Sequence, residues 1–300
     1  MKTGQNIQDP LKNISLSADE MLLRNFFPPQ IKWFSKSVNQ MYRAQPTIAY
    51  KMTMAALSFS VRKPLKPKDM AFYAKGKKHI FRCKQKTFNT YSYGKGPEVY
   101  LVHGWGSYGA RWKLYVDELV RKGYCAVVVD APAHGTSPGL FLSLPDYVLA
   151  LKHVFNRAKH LHGVINHSIG GLCSIVALKE STKTGPFKIA LLSSFNSAES
   201  LLFKFGGSIG IKEEILTGIV PWIPRYAGYG IAHLSVSRHL DARKDDVFMV
   251  YDRDDIIVPA IEPMTLLNEH PNIMYCPTYG LGHNLKSPKI IEETIAFISK

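Results

Sequence analysis

Residues 166–171 read Asn-His-Ser-Ile-Gly-Gly, with an apolar, β-branched run before Ser168 and an apolar run of helical length after it. A serine at that junction has two readings. It can be an ordinary helix N-cap, or it can be a nucleophile lifted above the carboxyl ends of a sheet by a tight strand-to-helix turn. The second reading needs a base and a group to orient it, and the chain supplies both further on. Residues 251–259, Tyr-Asp-Arg-Asp-Asp-Ile-Ile-Val-Pro, bring Asp252, Asp254 and Asp255, and residues 280–283, Gly-Leu-Gly-His, bring His283. A histidine held in one tautomer by a carboxylate takes the proton from a serine hydroxyl as it attacks an acyl carbonyl. Upstream, residues 103–106, His-Gly-Trp-Gly, form a glycine-flanked turn whose backbone N–H groups can face a substrate oxygen. The chain order serine, aspartate, histidine is one of three known orders for such a triad.

These residues need elements to hold them, and the pattern from residue 98 onward supplies them. Short β-rich apolar runs at 99–102, 125–129, 164–166, 189–192, 247–251 and 273–276 alternate with helical stretches at 111–122, 144–160, 169–180, 259–269 and 287–298. That alternation predicts βαβ units and a mostly parallel sheet with helices on both faces. Each candidate residue then falls just past the end of a strand. Runs at 79–83 and 87–93 fit an antiparallel pair at the sheet edge. Residues 195–244 are too long for an ordinary connection and, with Phe203, Phe205, Ile215, Trp222 and Tyr226, read as an inserted cap.

The five segments His-Gly-Trp-Gly, Asp-Ala-Pro-Ala-His-Gly-Thr-Ser-Pro-Gly at 130–139, the one around Ser168, the one ending at Pro259 and Gly-Leu-Gly-His together resemble the α/β-hydrolase superfamily. Within it they resemble bacterial serine hydrolases and esterases. The resemblance covers residues 98–300 and implies a central, mostly parallel sheet flanked by helices, with a helical cap insertion and an N-terminal helical extension. It implies Ser168, Asp255 and His283 as the catalytic set, because the family's acid stands three places before the Val-Pro pair. It also implies that the backbone N–H groups of Trp105 and Ile169 form the oxyanion hole, and that no cofactor is needed. The usual first glycine of the elbow is Asn166 here. Asp130, His134 and His103 are expected to hold their loops and to take no part in proton transfer.

The boundaries expected are a basic N-terminal helical extension, 1–65, and a hydrolase domain, 66–300, with its cap at about 195–244. Charge follows that division: residues 1–97 hold 18 Lys and Arg against 4 Asp and Glu, the remainder 20 against 19. The basic character therefore says little about the substrate of the catalytic part. Residues 47–61 carry Ile48, Met52, Ala55 and Phe59 on one stripe and Tyr50, Met54, Leu57 and Val61 on another, at helical spacing. Such a helix either packs on the hydrolase domain or lies in an anionic membrane interface, with Arg62, Lys63, Lys66 and Lys68 at the headgroups. The four cysteines, Cys83, Cys125, Cys173 and Cys276, show no paired spacing and read as reduced thiols. A cytoplasmic protein, with peripheral attachment at the inner membrane surface as the second option, is expected. The expected partner is a small ester or thioester with an apolar acyl or alcohol group. Nucleic-acid binding finds no recognisable module, and a ligand-binding or scaffolding protein without enzymatic activity is the alternative function.

Overall fold

In the computed structural model, residues 30–60, 62–240 and 245–300 are described. Residues 1–29 of the expected extension, Val61 of the expected helix and residues 241–244 at the end of the expected cap lie outside that set.

The β-rich runs form one eight-stranded sheet. In chain order these are β1 (Lys77–Cys83), β2 (Lys86–Tyr93), β3 (Glu98–Val102), β4 (Cys125–Asp130), β5 (Leu161–His167), β6 (Lys188–Leu192), β7 (Asp246–Asp252) and β8 (Met274–Thr278). Their order across the sheet is β1-β2-β4-β3-β5-β6-β7-β8. The β1–β2 and β2–β4 pairs are antiparallel, and every pair from β4 to β8 is parallel. Interior strands of a sheet covered on both faces are apolar throughout and do not alternate. Accordingly, Val99–Val102 and Ala126–Asp130 are buried at every position.

Helices cover both faces. On one lie α5 (Leu144–Arg157) and α6 (Ile169–Glu180), whose Leu151, Phe155, Leu172 and Ile175 join Tyr100, Val164 and Leu191 in the larger core. On the other lie α3 (Pro67–Lys75), α4 (Lys113–Arg121) and α12 (Pro288–Ile298), which bury Tyr73, Leu119 and Ile295 with Leu101, Ile165 and Val250. The remaining helix of the sheet region, α11 (Ile261–Glu269), follows β7 and packs through Leu266 on the first face. Because strands from β3 to β8 run parallel, the segments after β3, β5, β7 and β8 emerge at one edge of the sheet, where ligands bind in open α/β sheets.

The interval after β6 folds into α7 (Ala198–Ser208), α8 (Glu213–Ile219), α9 (Ile223–Ala227) and α10 (Val236–Leu240). Before the sheet stand α1 (Gln30–Ala44) and α2 (Pro46–Ser58). α2 falls on the helix expected at 47–61, and α1 lies within the expected helical extension without a helix marked there. The first carries Ile31, Phe34, Val38 and Met41 at helical spacing, a signal equal to that of α2. Both pack against the cap. Val38 and Ala49 are fully buried with Ile211, Ile215, Leu216 and Ile219, and Tyr50, Met54 and Leu57 lie half-buried around them. On the other stripe Met52 also packs there, while Ile48 is 43% exposed and Phe59, just past the end of α2, is 45% exposed. Among the described residues, no helix is long and apolar enough to cross a membrane.

Candidate active site

The turn from β5 into α6 is tight because two backbones meet there. A Cβ at Gly170 would lie 2.7 Å from the carbonyl oxygen of His103, and one at Gly104 would lie 2.8 Å from Ser168 Cβ. Only glycine fits at either place, so the loop after β3 rests directly on the elbow. Ser168 itself has φ 56° and ψ −131°, a conformation that costs a non-glycine residue roughly 1–3 kcal/mol. It is held by Ser168 N donating to Leu192 O (3.0 Å) and Gly171 N donating to Ser168 O (3.0 Å). Asn166, in the place of the usual glycine, is fully buried and turns toward β6, its Nδ2 donating to Ala190 O at 3.2 Å. The larger residue is thus absorbed on the β6 side, one strand away from the β3 loop.

The carboxylates after β7 divide their work by hydrogen bonding. Asp255 Oδ2 accepts from His283 Nδ1 at 2.9 Å, while its Oδ1 accepts from Ile257 N (2.8 Å) and Val258 N (2.9 Å). With Nδ1 carrying the proton, Nε2 of His283 is the free basic nitrogen. Asp254 Oδ2 accepts from Gly280 N at 2.9 Å. Asp252 accepts from Asp254 N through Oδ1, and from Thr278 Oγ1 and Leu281 N through Oδ2. Burial pushes the pKa of Asp252 up, but the hydrogen bonds from Thr278 and the backbone outweigh it and leave the group below its ordinary value. Asp252 and Asp254 therefore brace the loop that carries His283, and Asp255 touches the ring.

His283 is brought to the elbow through the residue beside the serine. His167 Nε2 donates to His283 O at 2.7 Å, and the two rings lie 4.7 Å apart. Burial, with Arg111 and His283 nearby, holds the His167 pKa well below the usual histidine value, so this ring stays neutral. The sequence signals this contact only by placing a histidine beside the candidate nucleophile.

The loop after β3 is fixed from both sides. His103 donates from Nδ1 to Gly104 O (2.7 Å) and accepts at Nε2 from Ala131 N (3.1 Å), and Tyr147 donates to His103 O (2.9 Å). Burial pushes His103 down to about 4. With both nitrogens occupied and the residue fully buried, it is an anchor for the loop. Trp105 follows, flanked by Gly104 against Ser168 and by Gly106, whose N–H donates to His134 Nε2 at 3.1 Å. Ile169 is the first residue of α6, where backbone N–H groups have no partner within the helix and the dipole favours negative charge. Asp130 accepts from Gly109 N, Tyr73 OH, Thr136 N and Thr136 Oγ1, and so ties the turn after β4 to α3 and to the turn before α4. Among the described residues, no three His, Cys, Asp or Glu side chains gather as a metal site.

Residues 99–282 match the family model described as the Alpha/beta hydrolase family. Curated relatives include the pimeloyl-[acyl-carrier protein] methyl ester esterase of Methylococcus capsulatus, 33% identical over 101 residues, covering 33% of this chain and 37% of that one. The enzyme of the same name from Aeromonas salmonicida is 31% identical over 129 residues, covering 42% and 47%. The matches thus span less than half of these relatives' length. Among solved structures, an esterase of Pyrococcus furiosus superposes with a TM-score of 0.56 at 20% identity, covering 81% of this chain and 95% of that one. Est1E of Butyrivibrio proteoclasticus, with ferulic acid bound, gives 0.59 at 15% identity, covering 73% and 97%. The sheet order, the cap after β6 and the family match over most of the sheet agree: this chain belongs to the α/β-hydrolase family.

Proposed function

We propose that this protein is a serine hydrolase that cleaves a carboxylic ester or thioester through an acyl-enzyme. The observation that carries the proposal is the 2.9 Å contact between Asp255 and His283 Nδ1, in a loop whose His283 carbonyl is held by His167, the neighbour of a serine at φ 56° on a strand-to-helix turn. In this scheme His283 Nε2 removes the Ser168 proton as the oxygen attacks the acyl carbon. The oxyanion forms against the N–H groups of Trp105 and Ile169, each donor contributing about 3 kcal/mol. His283 then protonates the departing alcohol or thiol. Water, activated by the same nitrogen, releases the acid and restores the serine. No group beyond these residues is required.

The relatives whose names specify the methyl ester of a pimeloyl-[acyl-carrier protein] favour an ester over a thioester. The apolar cap residues Leu201, Leu202, Phe205, Val220 and Ile223, which pack on the core beside the elbow helix, suit an apolar chain. A fluorophosphonate should label the protein on Ser168 alone, and methyl or p-nitrophenyl esters of increasing chain length should be hydrolysed with an optimum above acetate. Labelling at another residue, or full hydrolysis by Ser168→Ala, would reject the assignment.

A further inference from the structure

Just after α2, the chain before the sheet reaches the turn after β4. Phe59 makes an isolated antiparallel bridge with Phe141, with Ser60 N donating to Leu140 O (2.9 Å) and Leu142 N donating to Ser58 O (2.8 Å). This brings Ser60 and Arg62 onto the turn after β4. Ser60 is buried, and its Oγ donates to Ala133 O at 2.8 Å. Arg62 donates from Nε to the same oxygen at 3.0 Å, and from Nη2 to Gly139 O at 3.0 Å and to Ser137 O. Ala133 has φ 63°, a left-handed conformation that alanine does not favour. Two donors from the N-terminal segment therefore converge on the carbonyl of a strained residue.

The next residue passes that hold to the loop after β3. His134 donates from Nδ1 to Pro132 O (3.0 Å), which leaves Nε2 bare to accept the Gly106 N–H at 3.1 Å. Ser60 Oγ stands 3.3 Å from the same nitrogen, and the Trp105 indole meets the His134 ring edge-on at 5.3 Å. Between two glycines, the Trp105 peptide has little intrinsic stiffness. A donor that stabilises an oxyanion works by being fixed before charge develops.

We propose that Ser60 and Arg62 are positioning residues for the Trp105 N–H, acting through Ala133, His134 and Gly106. This rests on the reading above, in which that N–H is an oxyanion donor. The N-terminal segment is then part of the catalytic machinery, although it lies outside the stretch that matches the family. Burial, together with His103 nearby, pushes His134 down to about 4, so the acceptor at Nε2 persists across the neutral range.

The full chain is assayed with p-nitrophenyl butyrate and with a trifluoromethyl ketone that forms a tetrahedral adduct on serine. Ser60→Ala and Arg62→Ala should each lower kcat about tenfold with KM changed less than about twofold, and should weaken the ketone by the same factor. Ser60→Thr, which keeps the hydroxyl, should recover most of the loss. Lys63→Ala, an exposed neighbour in the same segment, should match the wild type. Should Arg62→Ala fail to fold, Arg62→Lys, which keeps the charge but has one donor nitrogen in place of the two that Arg62 uses, should show an intermediate kcat. Wild-type kcat in folded Ser60→Ala and in the arginine variants would overturn the inference alone. A wild type that neither hydrolyses ester nor takes the fluorophosphonate at Ser168 would instead overturn the hydrolase reading, and this inference with it.

Discussion

The elbow after β5 and the helices α1 and α2 both bury apolar side chains, yet they are held by different means. Around Ser168 the packing is backbone against backbone: Gly104 and Gly170 have no room for a Cβ, and residues 169–178 of α6 are all buried. Between α1, α2 and the cap the apolar packing is side chain against side chain, through Val38, Ala49, Tyr50 and Ile215, with Ser35 and Asn39 donating to the carbonyls of Ile209 and Gly210 and with Ile48 left largely in water. The first kind of contact restricts which residue can stand at each place. The second restricts little beyond size and polarity. Strict local rules leave a signature in the sequence, and loose side-chain packing leaves only a periodicity.

The largest test of this contrast is at the rigid end. Because Asp255 touches the His283 ring while Asp254 only accepts from Gly280 N, one substitution made at two adjacent positions should give very different results. Asp255→Asn should lower kcat on the order of ten-thousandfold. Asp254→Asn keeps an acceptor for Gly280 and should retain most of the activity. Equal losses in the two variants would mean that the loop acts as a unit and that the ring contact is not special.

An intermediate effect should appear in acid. His103 and His134 are buried and neutral, each with its pKa pushed from 6.5 to about 4 chiefly by burial. The unfolded chain takes up their protons near pH 6.5, whereas the folded chain resists until about pH 4. Unfolding therefore binds protons in this window. Stability should be level above pH 6.5 and fall as the pH drops toward 4, by about 3 kcal/mol for each ring. Urea midpoints measured from pH 7.5 to pH 4.5 report it, and a flat profile would show that the two turns relax to admit water.

The smallest effects belong to the looser region. Ile215 is fully buried where α2 meets the cap, and Ile48 is 43% exposed on the opposite stripe of α2. Ile215→Ala should cost between about 2 and 5 kcal/mol, whereas Ile48→Ser should stay within about 0.5 kcal/mol. Thermal midpoints of the two variants compare them directly. A large loss from Ile48→Ser would reveal a contact on that stripe.

What the sequence determined alone was whatever depends on neighbours in the chain. The six parallel strands were legible as β-branched runs, and α6 as the apolar stretch after Ser168. The candidate-site segments were legible because the motifs that carry the family resemblance place particular residues at fixed spacing. Asp255 could be separated from Asp252 and Asp254 only by family resemblance, since all three carboxylates have the same intrinsic chemistry; their hydrogen-bond partners, which lie 26 to 29 residues away or along the loop, distinguish them in the fold. The contact of His167 with His283 O joins residues 116 apart, and that of Ser60 with Ala133 O joins residues 73 apart. No local pattern encodes such pairs, because a buried carbonyl accepts from whichever donor the packed chain delivers. Tertiary structure therefore decided which carboxylate meets the histidine, that α1 and α2 pack against the cap, and that a segment ahead of the sheet braces the turn beside Trp105.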